Sequence, residues 1–233
     1  MKDAAQNLND DFSQRVVSHE ALAKWCPSPL PGVKRRMLDR VGSEVARATS
    51  IVRYLPGASF ARHAHGGGEE ILVLEGVFSD ELGDYPAGTY LRNPPGSAHA
   101  PYSSGGCVLF VKLWQFAAQD LQPVCLNTSA EPWRQGMVPG LQVMTLHEYG
   151  GVSTALVHWA PNTVFNPHWH PGGEEILVIK GVFSDDAGDY PALSWLRSPR
   201  GGQHAPFTGA EGALIYVKVG HLGAHLLAPE LGC

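Results

Sequence analysis

The 233-residue chain is poor in charge and poor in cysteine. Only 17% of its residues are charged, and 17 Lys and Arg face 22 Asp and Glu, for a net charge of −5. A mildly acidic chain is a poor match for nucleic acid, because phosphate binding needs an excess of basic side chains. The four cysteines (Cys26, Cys107, Cys125 and Cys233) are scattered and form no Cys-x-x-Cys pair. Neither a disulfide scaffold nor a zinc knuckle is expected from them. The opening MKDAAQNLNDDFSQRVV has no apolar core and carries acids early, unlike a secretory signal. No apolar run reaches the length of a membrane span. These absences predict a soluble, cytoplasmic protein with neither nucleic acid nor membrane as partner.

Helical periodicity is also missing between Glu44 and Phe116. What is abundant is turn chemistry, with 27 glycines and 18 prolines. Gly66-Gly-Gly68, Gly83-Asp84 and Pro94-Pro-Gly96 punctuate short apolar runs such as Glu70 to Leu74 and Val108 to Leu113. Short strands between frequent turns predict an all-β sandwich or closed barrel.

The chain repeats itself. His63-Ala-His65-Gly-Gly-Gly-Glu69-Glu70-Ile-Leu-Val returns as His168-Trp-His170-Pro-Gly-Gly-Glu174-Glu175-Ile-Leu-Val, an interval of 105 residues (63 to 168). Gly76 to Asp80 returns as Gly181 to Asp185, Gly83 to Ala87 as Gly188 to Ala192, and His99-Ala-Pro101 as His204-Ala-Pro206. Upstream, Trp25 and Pro31-Gly32 answer Trp133 and Pro139-Gly140 at an interval of 108 (25 to 133), so three residues are lost in a turn near Val41 to Val45. Each copy is the size of a domain rather than of a solenoid unit. The expected organisation is an N-terminal extension over 1–20, one domain over 21–118, a connector over 119–132, and a second domain over 133–233.

Four polar residues per copy stand out. On a strand, residues two apart point to one face, so His63 and His65 can enter one interior together. Glu69 follows the glycine turn, and His99 arrives behind Pro94-Pro-Gly96. Three imidazoles and a carboxylate suit zinc, iron, manganese, nickel or copper. Histidines near turns can cluster by chance. A second full set, His168, His170, Glu174 and His204, makes chance a poor account. Glu69 and Glu70 are adjacent and would face opposite sides of a strand, so alternation alone leaves open which is the ligand.

The spacing of these residues resembles the cupin pattern. Gly57, His63-x-His65, Glu69 and Gly76 match its first motif; Gly88, Pro94-x-Gly96 and His99 match its second. The resemblance selects Glu69 and Glu174 as ligands over their neighbours. It departs at Ser103, where the trailing Asn is usual, and at Pro161-Asn162 and Leu193 in copy two, where Gly is usual. More narrowly, Pro31 to Asp39, His63 to Asp80 and Gly83 to Gly96 resemble the cupin domain of ChrR anti-sigma factors. That resemblance implies two tandem double-stranded β-helix (jelly-roll) barrels. It implies two divalent metal ions per chain, zinc first, with iron, manganese or nickel as alternatives. It also implies a regulatory module that senses oxidative stress. The alternative is a non-haem metal-dependent dioxygenase of the cupin class. The helical sigma-binding domain of those factors has no counterpart here, so a sigma factor is not an expected partner. A second copy of the chain and a small-molecule ligand are.

The remaining residues carry plainer expectations. Asp80, Asp84, Asp185 and Asp189 are read as turn residues. Phe60, Phe78, Phe165 and Phe183 are read as core. Lys112 and Lys218, each within an apolar strand, are expected to reach the rim with their ammonium groups. Trp169 should face away from the metal and serve as a packing anchor. His19, His147, His158, His221 and His225 have no matched partners and are read as surface or hydrogen-bonded residues. Cys107 has no cysteine counterpart in copy two, so a thiol response to oxidants would be confined to copy one.

Overall fold

A computed structural model describes residues 7–20, 24–43 and 45–223. His225 and Cys233 lie outside the described residues. The described residues are all-β: every strand pairing is antiparallel and no α-helix occurs. The chain divides into two compact units. One contains residues 7–10 and 24–130, the other residues 11–20 and 131–223.

In the first unit the strand order is Val124–Asn127, Thr89–Asn93, Glu69–Asp80, Cys107–Leu113, Ala46–Tyr54, Val33–Gly42 and Cys26–Pro27. The second unit repeats it with Val16–Ser18, Trp195–Ser198, Glu174–Asp185, Phe207–Val219, Val152–Trp159, Leu141–Tyr149 and Arg134–Gln135. Each unit is thus completed by a strand that precedes the other copy in sequence. Val16–Ser18, within the expected N-terminal extension, pairs with Trp195–Ser198, while Val124–Asn127 from the expected connector pairs with Thr89–Asn93.

The long strand Glu69–Asp80 belongs to both faces of its barrel. Its first half pairs with Thr89–Asn93 and its second half with Gly83–Pro86. The corner falls at Gly76, which has φ 71°, and a Cβ there would sit 2.2 Å from the Gly106 carbonyl oxygen. Only glycine permits that close backbone approach. Gly181 turns the same corner in copy two, 2.1 Å from the Gly212 oxygen. The three-residue loss also has a structural reading. It shortens the loop after Val33–Gly42 to the pair Gly150-Gly151, both at positive φ, the backbone a two-residue hairpin needs.

Alternation sorts the side chains. Val33, Tyr54, Ile71, Val73, Leu109 and Val111 form the inner core of copy one, and Leu141, Trp159, Ile176, Val178 and Ile215 that of copy two. The opposite face of the same strands is buried as well, through Ile51, Leu72, Tyr90 and Phe110. Burial on both faces explains why these strands read as continuous apolar runs.

Lys112 and Lys218 do not reach the rim. They are 1% and 2% exposed. Lys112 stands in register between Glu70 and Thr49, Lys218 between Glu175 and Thr154, and Lys112 Nζ donates to Thr49 Oγ1 at 3.2 Å. A buried ammonium needs a compensating charge, and the second glutamate of each Glu-Glu pair lies directly across the strand. Trp169 faces outward as expected, but at 61% exposure it packs against little and is no anchor within its unit.

Asn162 and Leu193, the departures from glycine in copy two, keep the turn shapes. They adopt φ 56° and 63°, where copy one has Gly57 at 79° and Gly88 at 88°. The same hydrogen bond closes both turns, Gly88 N to Val73 O at 2.8 Å and Leu193 N to Val178 O at 2.7 Å. A leucine in the left-handed region carries strain of roughly 1 kcal/mol. Leu193→Gly should therefore raise the thermal midpoint by about 2–4 °C. Gly181→Ala, which puts a methyl group against a backbone oxygen, should lower it by more. Calorimetry on the two variants checks the pair; a stable Gly181→Ala would refute the corner.

Candidate metal centres

Two short ribbons place the histidines. His63–Ala64 pairs with Ala98–His99, setting His63 directly opposite His99. His168–His170 pairs with Gly202–His204, setting His168 opposite His204. The following turn brings His65 round to the start of the Glu69 strand. Its glycines make room for two aromatics: a Cβ on Gly67 would sit 2.1 Å from the Trp114 ring, and one on Gly68 2.5 Å from Phe116.

The ring nitrogens converge. The candidate ligand atoms of His63, His65 and His99 all lie within 4.8 Å of one another, as do those of His168, His170 and His204. Glu69 completes the first group, with Oε2 3.4 Å from His65 Nε2 and 3.5 Å from His99 Nε2. Glu174 completes the second, 3.3 Å from His170 Nε2 and 3.5 Å from His204 Nε2. The structure therefore brings together all eight residues singled out in the sequence, and alternation puts Glu69 and Glu174 inside with Glu70 and Glu175 outside.

Hydrogen bonds at the far side of the rings point the lone pairs inward. His63 Nδ1 lies 3.0 Å from the Ala61 carbonyl and His168 Nδ1 3.0 Å from that of Asn166. Those oxygens can only accept, so each Nδ1 carries the proton and each Nε2 is left as a bare acceptor. His99 Nδ1 lies 3.2 Å from Asp80 Oδ2 and is fixed the same way. In copy two, His204 Nε2 lies 3.1 Å from His168 Nε2 and 3.3 Å from His170 Nε2. His65 Nε2 is buried and receives no hydrogen bond. Ligands in a tetrahedron around an ion at roughly 2.0–2.1 Å stand about 3.3 Å apart. The donors are spaced for a cation, and acceptors facing one another without a proton between them need one. The two three-histidine groups thus fit two divalent metal sites.

Burial sets the protonation. It holds His65 down to about 4, with His63 adding repulsion, and His170 down to about 4, with His168 and His204 adding theirs. Both imidazoles are neutral near pH 7, as a metal ligand must be. Burial also raises Glu69, and raises Glu174 to about 7.

Sequence reasoning missed the groups behind the ligands. Asp80 and Asp185 are turn residues, with Oδ1 accepting from Leu82 N and Ala187 N, but they also hold histidine ligands and accept from Tyr85 and Tyr190. Asp84 and Asp189 act only within turns, accepting from Ser79 and Ser184. Asn93 donates to Glu69 at 3.1 Å; its counterpart is Ser198. Arg15 donates to Asp185 at 2.6 Å and to Tyr190 at 2.8 Å. Burial works against the Asp185 carboxylate, but bonds from His204, Ala187, Tyr190 and Arg15 hold it down to about 2. The His204–Asp185 contact is longer than its counterpart, 3.8 Å against 3.2 Å. No spacing rule could have found Arg15, which is 170 residues from its partner. Among the unmatched histidines, His221 is buried against Glu175 at 3.1 Å and His19 stacks on Tyr190. Cys107 lies in the apolar core, where burial pushes its thiol up. That is the environment of an inert thiol, and the thiol response expected of copy one loses its basis.

Each group opens onto a cavity inside its own barrel. The first holds about 330 Å³ between Val52, Tyr54, Phe60, Phe78 and Leu109, the second about 340 Å³ between Val157, Trp159, Phe165, Phe183 and Ile215. The matched phenylalanines thus line the sites as well as the core.

The fold and the paired sites are those of a two-barrel cupin. The ChrR cupin-like domain family matches the chain twice, over residues 13–117 and 121–223, and the chain belongs to that family. No curated protein matches the sequence. Among solved structures, a protein of Nostoc punctiforme provisionally named a dioxygenase superposes with a TM-score of 0.74 at 14% identity, over 94% of this chain and 88% of that one. A provisionally named glyoxylate-induced protein of Pseudomonas aeruginosa gives 0.71 at 13%, over 99% and 96%. The R92A mutant of Bacillus subtilis oxalate decarboxylase gives 0.62 at 14%, over 89% and 78%. At these identities the likeness is one of fold.

Two ions per chain are expected by elemental analysis, with His63→Ala and His168→Ala each losing one and keeping the other. The apparent affinity of copy two should rise with pH. Below pH 7 a metal must displace the Glu174 proton, so affinity falls by up to about tenfold per unit of acidification; above pH 7 it should level off. Titration of the His63→Ala chain across pH 5–8, with proton release followed in buffers of different ionisation heat, measures this. A flat profile would remove Glu174 from the ligand set.

Proposed function

We propose that the chain is a metal-dependent oxygenase for small molecules with an apolar body, working at two centres. His63, His65, Glu69 and His99 would hold one divalent ion, and His168, His170, Glu174 and His204 the other. The observation that carries this reading is the cavity beside each group. A purely structural ion needs no such space, whereas a volume of about 330 Å³ lies at the lower end of small-ligand pockets. A divalent ion there supplies Lewis acidity and, as iron or manganese, electrons for reaction with oxygen. The protein's own part is to fix the ring orientations through Ala61, Asn166 and Asp80, and to exclude water with aromatic walls. Among the described residues lining either cavity there is no second acid–base pair apart from the ligands, which suits a reaction whose chemistry is carried by the ion.

A second reading, an oxidant-sensing module, is supported by the family match to the ChrR cupin-like domain. Its ligand set of imidazoles and carboxylates resists mild oxidants, and the one described core thiol is screened by burial.

The two readings part on one comparison. The chain loaded anaerobically with ferrous iron is mixed with acetylacetone and oxygen, and oxygen uptake is followed. The zinc-loaded chain is treated with peroxide or singlet oxygen, and metal release is followed. Oxygen uptake that is abolished in the His63→Ala/His168→Ala chain, with zinc retained, is the expected result. Zinc release without oxygen uptake would replace catalysis by sensing.

A further inference from the structure

The two cavities share their ligands but not their walls. Arg35 lines the cavity of copy one. Strand alternation puts it on the inner face with Val33, in register with Val52, which pairs in turn with Leu109 and then Val73. Its neighbour Arg36 points the other way and stacks on Trp25, as does Arg53. Arg35 is half-buried and has no hydrogen-bond or ion-pair partner among the described residues. Among the described residues it is the only lysine or arginine lining that cavity. The corresponding row in copy two reads Val143, Val157, Ile215 and Val178. Valine stands where the arginine is, and among the described residues no lysine or arginine lines that cavity.

A guanidinium without a partner on a mostly apolar wall is a recognition group for a planar anion, because its fork matches a carboxylate in two parallel hydrogen bonds. The apolar surroundings strengthen that pairing and leave few competitors for it. We propose that the copy-one centre takes a small carboxylate-bearing ligand, its anionic end on Arg35 and its other polar end toward the His63, His65, Glu69, His99 group, whereas the copy-two centre takes a neutral one. Duplication would then have produced two specificities rather than two equal sites. This inference rests on the small-molecule reading of the cavities and names the ligand class for one of them.

The test compares two probes that differ in one carboxylate: acetopyruvate and its neutral counterpart acetylacetone. Zinc-loaded full-length chain is used, so that binding is measured without turnover. The His168→Ala background reports copy one alone, and the His63→Ala background copy two alone. Calorimetric titration should show copy one preferring acetopyruvate by at least about tenfold, or 1.4 kcal/mol. Arg35→Gln should bring that preference close to unity while zinc content stays the same, and Arg35→Lys should restore part of it. Copy two should show no preference until Val143→Arg supplies one. A preference that survives Arg35→Gln, or is absent with Arg35 in place, overturns the proposal. If acetylacetone still binds in that case, the small-molecule reading stands without it. If neither probe binds either copy, both fall together.

Discussion

Four buried or half-buried acceptors pointed at one another are the constraint around which each barrel is arranged. Imidazoles buried in an apolar interior must be neutral, and a neutral imidazole has one acceptor nitrogen. Backbone oxygens at Ala61 and Asn166 and the carboxylate of Asp80 take the outer protons of His63, His168 and His99. The inner nitrogens are left with nothing to accept from. Adding Glu69 or Glu174 deepens the deficit, because burying a carboxylate costs more still unless a charge compensates it. A cation at the centre satisfies all four acceptors at once, whereas a proton on the carboxylate, which burial favours, satisfies one. The tight turn at 66–68, the corner at Gly76 and the His63–His99 register are the backbone devices that hold the acceptors in this unfavourable arrangement when no cation is there.

Where the ion goes is also decided by the barrel. Along the inner face the chemistry changes in steps of two residues. Val73 and Ile71 are core, and Glu69, the next inward position, is a candidate ligand. The apolar core therefore ends where the centre begins, and the cavity lies between them. A ligand in that space meets hydrocarbon on one side and the metal group on the other, which is why the walls rather than the donors can set what each copy accepts.

The barrels, their number and the eight candidate ligands were legible because each rests on a local regularity: turn spacing, the His-x-His alternation, and a repeat that doubles every signal. The second glutamate of each pair was visible but unexplained, since the lysine in register with it, Lys112 or Lys218, comes from a strand far along the chain. The lysines were misread for the same reason. An apolar strand with one lysine suggests a side chain escaping to water unless a buried carboxylate is known to face it. Asp80 and Asp185 were hidden by a sufficient local account, as turns already explain an aspartate there. Leu193 shows the reverse case. It broke the glycine pattern without breaking the turn, because a leucine can be held at positive φ when both strands and the Val178 hydrogen bond insist on it.

What the repeat could not show is the layer in which the copies differ, and the edge segments that complete each barrel supply part of it. Each unit holds an incoming segment with a matched arginine. Arg92 is clasped by Asp120 at 2.8 Å with its guanidinium over Phe116, and Arg197 donates to the Asp11 carbonyl with its guanidinium over Phe12. These clamps are alike, but the residues just beyond them in the two segments are not. In the second unit the clamp sets Arg15 against Asp185 and draws that carboxylate away from His204. In the first, Pro123 occupies the equivalent position, and Asp80 keeps its closer contact with His99. A carboxylate shared with an arginine polarises its histidine less than one that is not. The donor sets are identical, yet copy one has the better supported histidine. The difference enters at one position, 15 against 123, in the segment that opens each repeat.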